Sequence, residues 1–563
     1  MKNQSLKKSF VVVGILFTVL VNNEISLFSK QNEKNTEKNN EKSNDKNNEN
    51  KNEKKENQQN TIYEKYFHDF KNNKANFNLF DKDNKSNDTT KLNPIDELRN
   101  DIDVILQNND LSTANVGLIV QSVKTGEYFY KYNETKNFIP ASTLKIITTG
   151  TAINYLGKDF KFNTKLYLDG IISESGEFKG NIIVKGFGDP TLSDNYKSDI
   201  YSIFDFWISQ LDSLGISSMK GNIIGDDSYF DNIYYPAGWS WDDMIYPYSA
   251  QVSALSIYDN SVDIIIEQGD TIGASTKYRI LPENSYVRVI NNVNTISKGQ
   301  GSEVEALRDP VTNVIELYGN LEFDSTKSNR IVKSVAIDQP TLFFLNVFKE
   351  RLLKKNIKFR GALLDSDDWN QEIKYYELNS LPDYESPSLA EIIKVINKKS
   401  HNLGAEILLK TLGKEIYGVG STQKGLEVVY SYLNKLGVQT SKLSIVDGSG
   451  LSRLNLISPL SLNNFLYELN KSKNKDVFRK SLSIPNEEGT LKRRFINTLA
   501  EKNIYAKTGS MNNVNSLVGF ISTRDKELLS FVIFVNNFNT PQNIIKNIQD
   551  LICMRLASFS RKN

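Results

Sequence analysis

The pattern of hydrophobic and polar positions separates an N-terminal part of the chain from a longer part that can form a core. Residues 10–21 are a nearly unbroken apolar run preceded by three lysines, and residues 31–60 contain no apolar side chain. A charged start before a short apolar run is typical of a secretory signal, and a polar tract buries no surface. The pattern therefore predicts a signal peptide or membrane anchor at residues 1–28 and a disordered tether at residues 29–91.

Regular structure is predicted from residue 92 onward. Helical spacing of apolar residues, then two β-rich runs joined by a short turn, then an apolar stretch that starts at a proline, indicate a helix, a hairpin and a buried helix. These elements lie at residues 95–108, 116–123, 127–133 and 138–157. We expect residues 92–160 to form the first part of a domain.

The pattern of apolar and polar residues changes over residues 161–375, where short apolar runs alternate with Gly, Asn and Asp turns. Many short strands separated by such turns predict a β-rich region. After residue 376 helical patterns return, followed by paired strands and a terminal helix. The predicted helices lie at residues 386–400, 401–413, 424–437, 458–471 and 541–559, and the predicted strands at 503–522 and 527–537.

The first and last parts can join in one antiparallel sheet covered by helices. The predicted fold class is therefore α+β, with residues 92–160 and 376–563 forming one domain around an inserted β-rich region of one or two subdomains. At 563 residues the chain is long enough for such an arrangement.

The amino-acid composition limits the partners and the catalytic mechanisms that can be expected. The formal net charge of +2 gives no reason to expect nucleic acid as a partner. A single cysteine excludes an intrachain disulfide and a cysteine metal cluster, and the chain has only two histidines. A histidine-based triad would have to use His401, and no Gly-x-Ser-x-Gly motif accompanies it. A hydrolase with this composition is expected to use a lysine base, without a metal or another cofactor.

The string Ser142-Thr-Leu-Lys145 offers such a base. A lysine three residues after a serine lies one helical turn away on the same face, within reach of the hydroxyl. The same spacing recurs elsewhere, but only Ser142 stands at the start of a long apolar helix. The lysine must be neutral to act as a base, so we expect burial and a nearby cation, Lys507, to lower its pKa.

Two further strings follow in order. Ser400-His-Asn402 lies in a predicted corner between two helices, where a hydroxyl can relay a proton and an amide can bind a carbonyl. The string Lys507-Thr508-Gly509-Ser510 lies on a predicted strand, whose free edge can bind an extended peptide. There, Lys507, Thr508 and Ser510 can hold a carboxylate, while the N–H groups of Ser142 and Ser510 can form an oxyanion hole.

The chain resembles the class C low-molecular-mass penicillin-binding proteins, the D-alanyl-D-alanine carboxypeptidase/endopeptidase family, over about residues 92–560. Besides the three motifs, the resemblance includes the strings GDPTL at 188–192, DGSGLSR at 447–453 and GTLKRRF at 489–495. It implies a β-lactamase/transpeptidase-like domain with a large insertion between Lys145 and Ser400.

Carried over position by position, the resemblance implies that Ser142 is the acylated nucleophile, Lys145 its base and Ser400 a further catalytic residue. Substrate binding is then assigned to two groups: Asn402 with the strand residues Lys507, Thr508, Gly509 and Ser510, and, for the substrate side chain, Asp189 and Arg453. An Asx turn and a surface arginine are equally open interpretations of these last two. His401 departs from the more usual Asp or Asn of the second motif.

The function implied is that of an exported serine-type D-Ala-D-Ala carboxypeptidase or endopeptidase. Its expected partners are peptidoglycan stem peptides and β-lactam antibiotics, together with the membrane if the N-terminal segment is retained. A serine β-lactamase and a non-catalytic wall-binding protein are the alternatives. The long insertion and the absence of an evident carboxylate for fast deacylation disfavour the first, and the intact motifs disfavour the second.

Overall fold

The computed structural model describes residues 93–196 and 199–562, all of which belong to one compact unit spanning residues 85–563. The predicted signal or anchor and the predicted tether lie outside the described residues. In the described part of the chain, no helix is both long enough and apolar enough to cross a membrane.

The helices are numbered in chain order. They are α1 (Pro94–Leu106), α2 (Lys145–Tyr155), α3 (Ser202–Ser213), α4 (Pro340–Lys354), α5 (Leu389–Lys399), α6 (Asn402–Tyr417), α7 (Thr422–Lys435), α8 (Pro459–Leu469), α9 (Lys475–Ser481) and α10 (Gln542–Ser558). A 3₁₀ turn, Ala141–Leu144, precedes α2 directly.

The strands fall into a first pair, a long middle series and a final group of three. They are β1 (Asn115–Ser122), β2 (Tyr128–Tyr132), β3 (Asn163–Ile172), β4 (Glu177–Gly186), β5 (Ser218–Lys220), β6 (Ile223–Asp226), β7 (Ser261–Glu267), β8 (Lys277–Leu281), β9 (Arg288–Ile296), β10 (Glu303–Arg308), β11 (Val314–Glu322), β12 (Arg330–Ala336), β13 (Lys358–Arg360), β14 (Leu363–Asp365), β15 (Asn379–Ser380), β16 (Tyr384–Glu385), β17 (Ile504–Met511), β18 (Val514–Ser522) and β19 (Leu528–Asn536).

A five-stranded antiparallel sheet in the order β17-β18-β19-β1-β2 unites the two ends of the described chain. Strands β1, β18 and β19 are buried along most of their length, because helices cover both faces. Helices α1 and α10 pack on one side and α8 on the other. Strand β17, which carries the Lys-Thr-Gly-Ser string, lies at an edge of the sheet.

Strands β3 to β16 form the inserted region as an eight-stranded mixed sheet and two three-stranded sheets. Its core is separate from the core beneath the five-stranded sheet. An aromatic cluster lies at its centre, in which the rings of Phe204 and Phe348 stack with centroids 5.3 Å apart and Trp207 packs edge-on. Strands β15 and β16 pair with β3, so the inserted sheet continues past residue 375.

Several element predictions were wrong in detail. Residues 503–522 are two strands, β17 and β18, joined at a tight turn in which Asn513 has a φ of 61°. Helices α3 and α4, inside the β-rich insertion, were not predicted, and neither was α9. The helix predicted over 138–157 is a 3₁₀ turn followed by the shorter α2. The helix-helix corner at Ser400 was predicted correctly.

Candidate active site

Ser142 lies in the 3₁₀ turn that leads into α2, not within the α-helix itself. Residues i and i+3 eclipse each other in a 3₁₀ turn, so Lys145 stands directly beside Ser142. The Lys145 Nζ is 2.9 Å from the Ser142 Oγ. The residue before the serine, Ala141, has a φ of 47°, which is a strained backbone conformation for a residue with a Cβ. The turn thus presents the hydroxyl to the lysine at hydrogen-bonding distance.

Lys145 is fully buried, and three oxygen atoms surround its amine. Besides the Ser142 Oγ, its Nζ donates to the Asn402 Oδ1 at 2.6 Å and to the Ser449 carbonyl at 2.7 Å. Burial lowers the pKa of Lys145 to about 7, against the opposing effect of the Asp447 and Glu406 charges. Burial, rather than the charge of Lys507, is therefore the main cause of the shift.

Two buried carboxyl groups hold the loop that carries the Ser449 carbonyl. Glu406, on α6, accepts hydrogen bonds from the backbone N–H groups of Gly448 and Ser449. Asp447 accepts from the backbone N–H of Gly450 and from the Trp239 indole. Burial raises the pKa of Glu406 to about 8 and also raises that of Asp447. These carboxyl groups fix the loop against Lys145.

The second motif lies where α5 meets α6. Ser400 ends α5 in a left-handed conformation, with a φ of 63°, and Asn402 is the first residue of α6. The Asn402 side chain accepts from Lys145 and donates its Nδ2 to the Tyr248 carbonyl at 2.7 Å. Ser400 accepts a hydrogen bond of 2.8 Å from the Lys507 Nζ. The motif therefore contacts both lysines.

Lys507, the first residue of the third motif, is as buried as Lys145. Its Nζ donates to the Ser400 Oγ and, at 2.8 Å, to the carbonyl of Thr508. Burial holds the pKa of Lys507 well below its usual value, and the charge of Lys145 lowers it further. A second ammonium group beside the first is costly in a site with little water.

Gly509 lets β17 pass directly against the nucleophile's turn. A Cβ at this position would lie 2.7 Å from the Pro140 carbonyl oxygen and 3.1 Å from the Ser142 backbone nitrogen. Real Cβ atoms avoid contacts this close with backbone, so the approach requires glycine. The strand that carries Ser510 is thereby held beside the N–H of Ser142.

A cleft of about 560 Å³ opens above these groups. Five of the predicted residues line it, namely Ser142, Ser400, Asn402, Arg453 and Ser510, while Lys145 and Lys507 lie buried beneath it. Ser510 donates to the Gln542 Oε1 at 2.7 Å, and Arg453 donates to the Asn512 carbonyl at 2.6 Å. The three motifs therefore form one site.

The structure does not bring Asp189 into this cleft. Its side chain is 2% exposed, and its Oδ1 accepts from the backbone N–H of Thr191, two residues further on, at 2.8 Å. This is the Asx turn that was the alternative interpretation of the GDPTL string. Arg453, in contrast, is exposed and lines the cleft.

Sequence reasoning missed the residues that the insertion contributes. Ser240, Asp242, Asp243 and Tyr248 line the cleft opposite the motifs. No motif marks them, although the aromatic and acidic composition of residues 239–248 stands out from the short strands around it. Glu406 was also missed, although it lies one helical turn after Asn402. Within the described ranges, no three His, Cys, Asp or Glu side chains are grouped to hold a metal ion.

An antiparallel sheet with Lys-Thr-Gly-Ser on its edge strand, beside a serine-lysine pair at a helix start, defines the class of serine acyl-transfer enzymes that use a lysine base. A profile of the D-Ala-D-Ala carboxypeptidase 3 (S13) family matches residues 98–558. The chain belongs to that family.

The matches to related proteins extend over most of this chain and most of each relative. A D-alanyl-D-alanine carboxypeptidase from Actinomadura sp. is 30% identical over 82% of this chain and 85% of its own length. D-alanyl-D-alanine carboxypeptidase DacB from Haemophilus influenzae is 26% identical over 76% of this chain and 86% of its own. The crystal structure of penicillin binding protein 4 (dacB) from Haemophilus influenzae superposes with a TM-score of 0.69 and 25% identity, covering 81% of this chain and 99% of that one.

These comparisons confirm the family resemblance, the α+β transpeptidase-like fold class and the serine-type D-Ala-D-Ala peptidase class predicted from the sequence. They favour the peptidase over the β-lactamase and the non-catalytic protein. The roles of individual site residues remain predictions, which the geometry described above supports.

Proposed function

We propose that the protein hydrolyses D-Ala-D-Ala bonds of peptidoglycan stem peptides through an acyl-enzyme formed on Ser142. The observation that carries this proposal is the set of oxygens around the Lys145 Nζ. Two of them, the Asn402 Oδ1 and the Ser449 carbonyl, can only accept hydrogen bonds. A neutral amine has two N–H groups, which these acceptors take up, so its lone pair points to the Ser142 hydroxyl.

In the acylation step, the Ser142 Oγ attacks the carbonyl carbon of the penultimate D-Ala. Lys145 takes the hydroxyl proton as the C–O bond forms, and the C–N bond breaks as a proton reaches the departing amine. The Ser400 hydroxyl, which accepts from Lys507, gives its own proton to that amine and takes the proton held by Lys145 in return, so Lys145 is neutral again. A water molecule then attacks the ester, again with Lys145 as the base, and Ser142 is regenerated.

We assign the stabilisation of the negative charge that develops on the carbonyl oxygen during attack to the backbone N–H groups of Ser142 and Ser510. The close passage of Gly509 beside the Ser142 nitrogen supports this assignment. Removing one such donor typically costs ~10²–10³ in rate. Binding of the substrate carboxylate is assigned to the Ser510 hydroxyl in the cleft wall, with Thr508 and Lys507 behind it. Contact with the substrate side chain is assigned to the Arg453 guanidinium, which also lines the cleft.

β-Lactams are proposed to acylate Ser142 by the same attack, since their strained amide takes the place of the D-Ala-D-Ala bond. A solved relative carries the name penicillin binding protein. We also propose that the protein is exported, as a secreted or membrane-attached form. The charged start and apolar run at residues 10–21 support export, and so does a substrate that lies outside the plasma membrane.

The proposed reaction is tested by mass spectrometry of purified muropeptides after incubation with the full-length protein. Loss of one D-Ala from pentapeptide stems would identify carboxypeptidase action, and conversion of cross-linked dimers to monomers would identify endopeptidase action. Ser142→Ala should abolish both. Ser217→Ala is the matched control, because Ser217 is an exposed serine in another Ser-x-x-Lys string. Unchanged muropeptides with the wild-type protein would refute the proposal.

A further inference from the structure

A buried contact between a histidine and a carboxylate joins the second motif to the insertion. The His401 Nε2 lies 3.0 Å from the Oδ1 of Asp259, and both side chains are largely buried. Asp259 lies between β6 and β7, far from His401 in the sequence. The other oxygen of this carboxylate accepts from the Asn195 side chain at 2.6 Å. Both oxygens of the carboxylate are thus engaged.

The backbone around Asp259 has a strained, left-handed conformation. Tyr258, Asp259 and Asn260 all have positive φ values, of 52°, 53° and 50°. A left-handed residue with a Cβ costs ~1–2 kcal/mol, so three in succession persist only where their surroundings hold them. The side chain of Asn260 does so, donating to the Gln251 carbonyl at 2.8 Å and to the Ser256 hydroxyl at 2.9 Å.

The His401 ring is also fixed from its other sides. The Tyr196 hydroxyl lies 3.3 Å from the His401 Nδ1, and the two rings pack edge to face. A Cβ at position 404 would lie 2.6 Å from the same nitrogen, so Gly404 lets the ring lie against the first turn of α6. Burial raises the pKa of Asp259, but the charge of His401 and the hydrogen bonds around the carboxylate outweigh it and hold the pKa low.

The position of His401 in the chain gives the pair its significance. Its two neighbours are Ser400, which contacts Lys507, and Asn402, which contacts Lys145 and the Tyr248 carbonyl of the insertion. Consecutive Cα atoms are about 3.8 Å apart, so a shift of His401 moves both neighbours. Stability alone does not explain the pair, because replacing both partners of a buried polar contact by apolar groups of the same shape can be nearly neutral or stabilising.

We propose that His401 is a positioning residue whose contact with Asp259 fastens the second motif to the insertion and sets the places of the Ser400 hydroxyl and the Asn402 amide. The insertion is then part of the catalytic apparatus and not only a wall of the cleft. This inference rests on the proposed function, because its effect is read through the acylation of Ser142.

The test is a double-mutant cycle on the full-length protein with His401→Asn, Asp259→Asn and the double variant. The readout is the single-turnover rate constant of acylation at saturating β-lactam, per titrated active site, together with the melting temperature. We expect each single variant to be acylated about 10-fold more slowly, with the β-lactam dissociation constant little changed. The double variant should be no slower than either single variant.

Asp205→Asn is the matched control, since it removes the Asp205–Arg351 ion pair inside the insertion, between α3 and α4. It should lower the melting temperature and leave acylation within twofold of the wild type. His401→Gln, which keeps a polar side chain of similar length, provides a second variant if His401→Asn does not fold. Single variants acylated at the wild-type rate, or additive losses in the double variant, would overturn the inference. A wild-type protein that is not acylated would instead refute the proposed function, and the inference with it.

Discussion

Lys145 and Lys507 are two fully buried amines beneath one cleft, and each contacts a serine hydroxyl, that of Ser142 for Lys145 and that of Ser400 for Lys507. Among the residues that the structure describes, no carboxylate lies within hydrogen-bonding distance of either amine, and burial lowers the pKa of both. A lysine becomes a base at neutral pH only when its ammonium form is destabilised in this manner. The ability of Lys145 to act as a base therefore depends on its desolvation. The acylation rate should then depend on the pH and on the side chain at position 145.

The acylation rate should rise with pH and level off above about 7, the pKa to which burial lowers Lys145. The neutral amine is the active form, and its fraction falls about tenfold for each pH unit below the pKa. Single-turnover acylation by a β-lactam between pH 5 and 9 measures this profile. Lys145→Arg, which keeps the charge and cannot lose its proton, should lose ~10²–10⁴-fold in rate on the plateau above pH 7 and should not show this pH dependence. A flat profile would contradict the role given to Lys145.

Gly509→Ala should disable acylation while the protein remains folded. The new methyl group would press on the Pro140 carbonyl and the Ser142 nitrogen and push β17 away from the nucleophile's turn. Loss of one oxyanion donor predicts a fall of ~10²–10³ in the acylation rate. Circular dichroism together with stopped-flow acylation measures both quantities. An alanine variant with wild-type acylation would show that the strand does not supply such a donor.

Helix α6 organises the site at the next scale. Asn402, Glu406 and Lys410 follow one another at intervals of four and therefore share one face of the helix. The first contacts Lys145, the second holds the 447–452 loop, and the third pairs with Asp231 of the insertion at 2.6 Å. One helix thereby fixes the base, the loop behind it and part of the insertion.

Glu406→Ala should destabilise the protein strongly. It leaves the buried N–H groups of Gly448 and Ser449 without their acceptor, at ~1–3 kcal/mol for each group. A lowered midpoint in urea unfolding, with an unchanged slope, is the expected result. Glu415→Ala removes an exposed carboxylate of the same helix that accepts from the Tyr229 hydroxyl, and it should lower the midpoint much less, because no buried backbone group loses its partner. Equal midpoints for the two variants would refute the role of Glu406.

Local sequence predicts elements well where a single pattern dominates, as in the corner at Ser400. It failed where tertiary packing decides. Helices α3 and α4 are rich in aromatic and β-branched residues, which favour strands, but their apolar faces meet at the Phe204–Phe348 stack. The turn between β17 and β18 was missed although Asn512-Asn513, a pair of turn-favouring residues, interrupts the strand pattern there.

At the scale of the whole molecule, the cleft is made by two regions that are distant in sequence. The transpeptidase-like part supplies the three motifs, and the insertion supplies Tyr248 and its neighbours on the opposite wall. The motif residues could be found from the sequence because their chemistry requires fixed spacings. The insertion's residues and the His401–Asp259 pair could not, because no local pattern encodes contacts between distant segments.

The prediction of export concerns the full chain, because it depends on residues 1–28. If the protein is exported as proposed, the catalytic part lies outside the plasma membrane, and intact cells should be labelled by a fluorescent penicillin that does not cross that membrane. A variant lacking residues 1–28 should accumulate inside the cell and be labelled only after lysis. Labelling of intact cells by that variant, or of the wild type only after lysis, would contradict the proposed localisation. The mass of the mature protein shows whether the segment is cleaved.

The central claim is that Ser142 is the nucleophile, with Lys145 as its base. Mass spectrometry of the full-length protein after incubation with benzylpenicillin tests it most directly, with peptide mapping to locate the adduct. We expect one penicilloyl group per chain, on Ser142, and none on Ser142→Ala, while Ser217→Ala is labelled like the wild type. An adduct on another residue, or equal labelling of Ser142→Ala, would show that Ser142 is not the nucleophile.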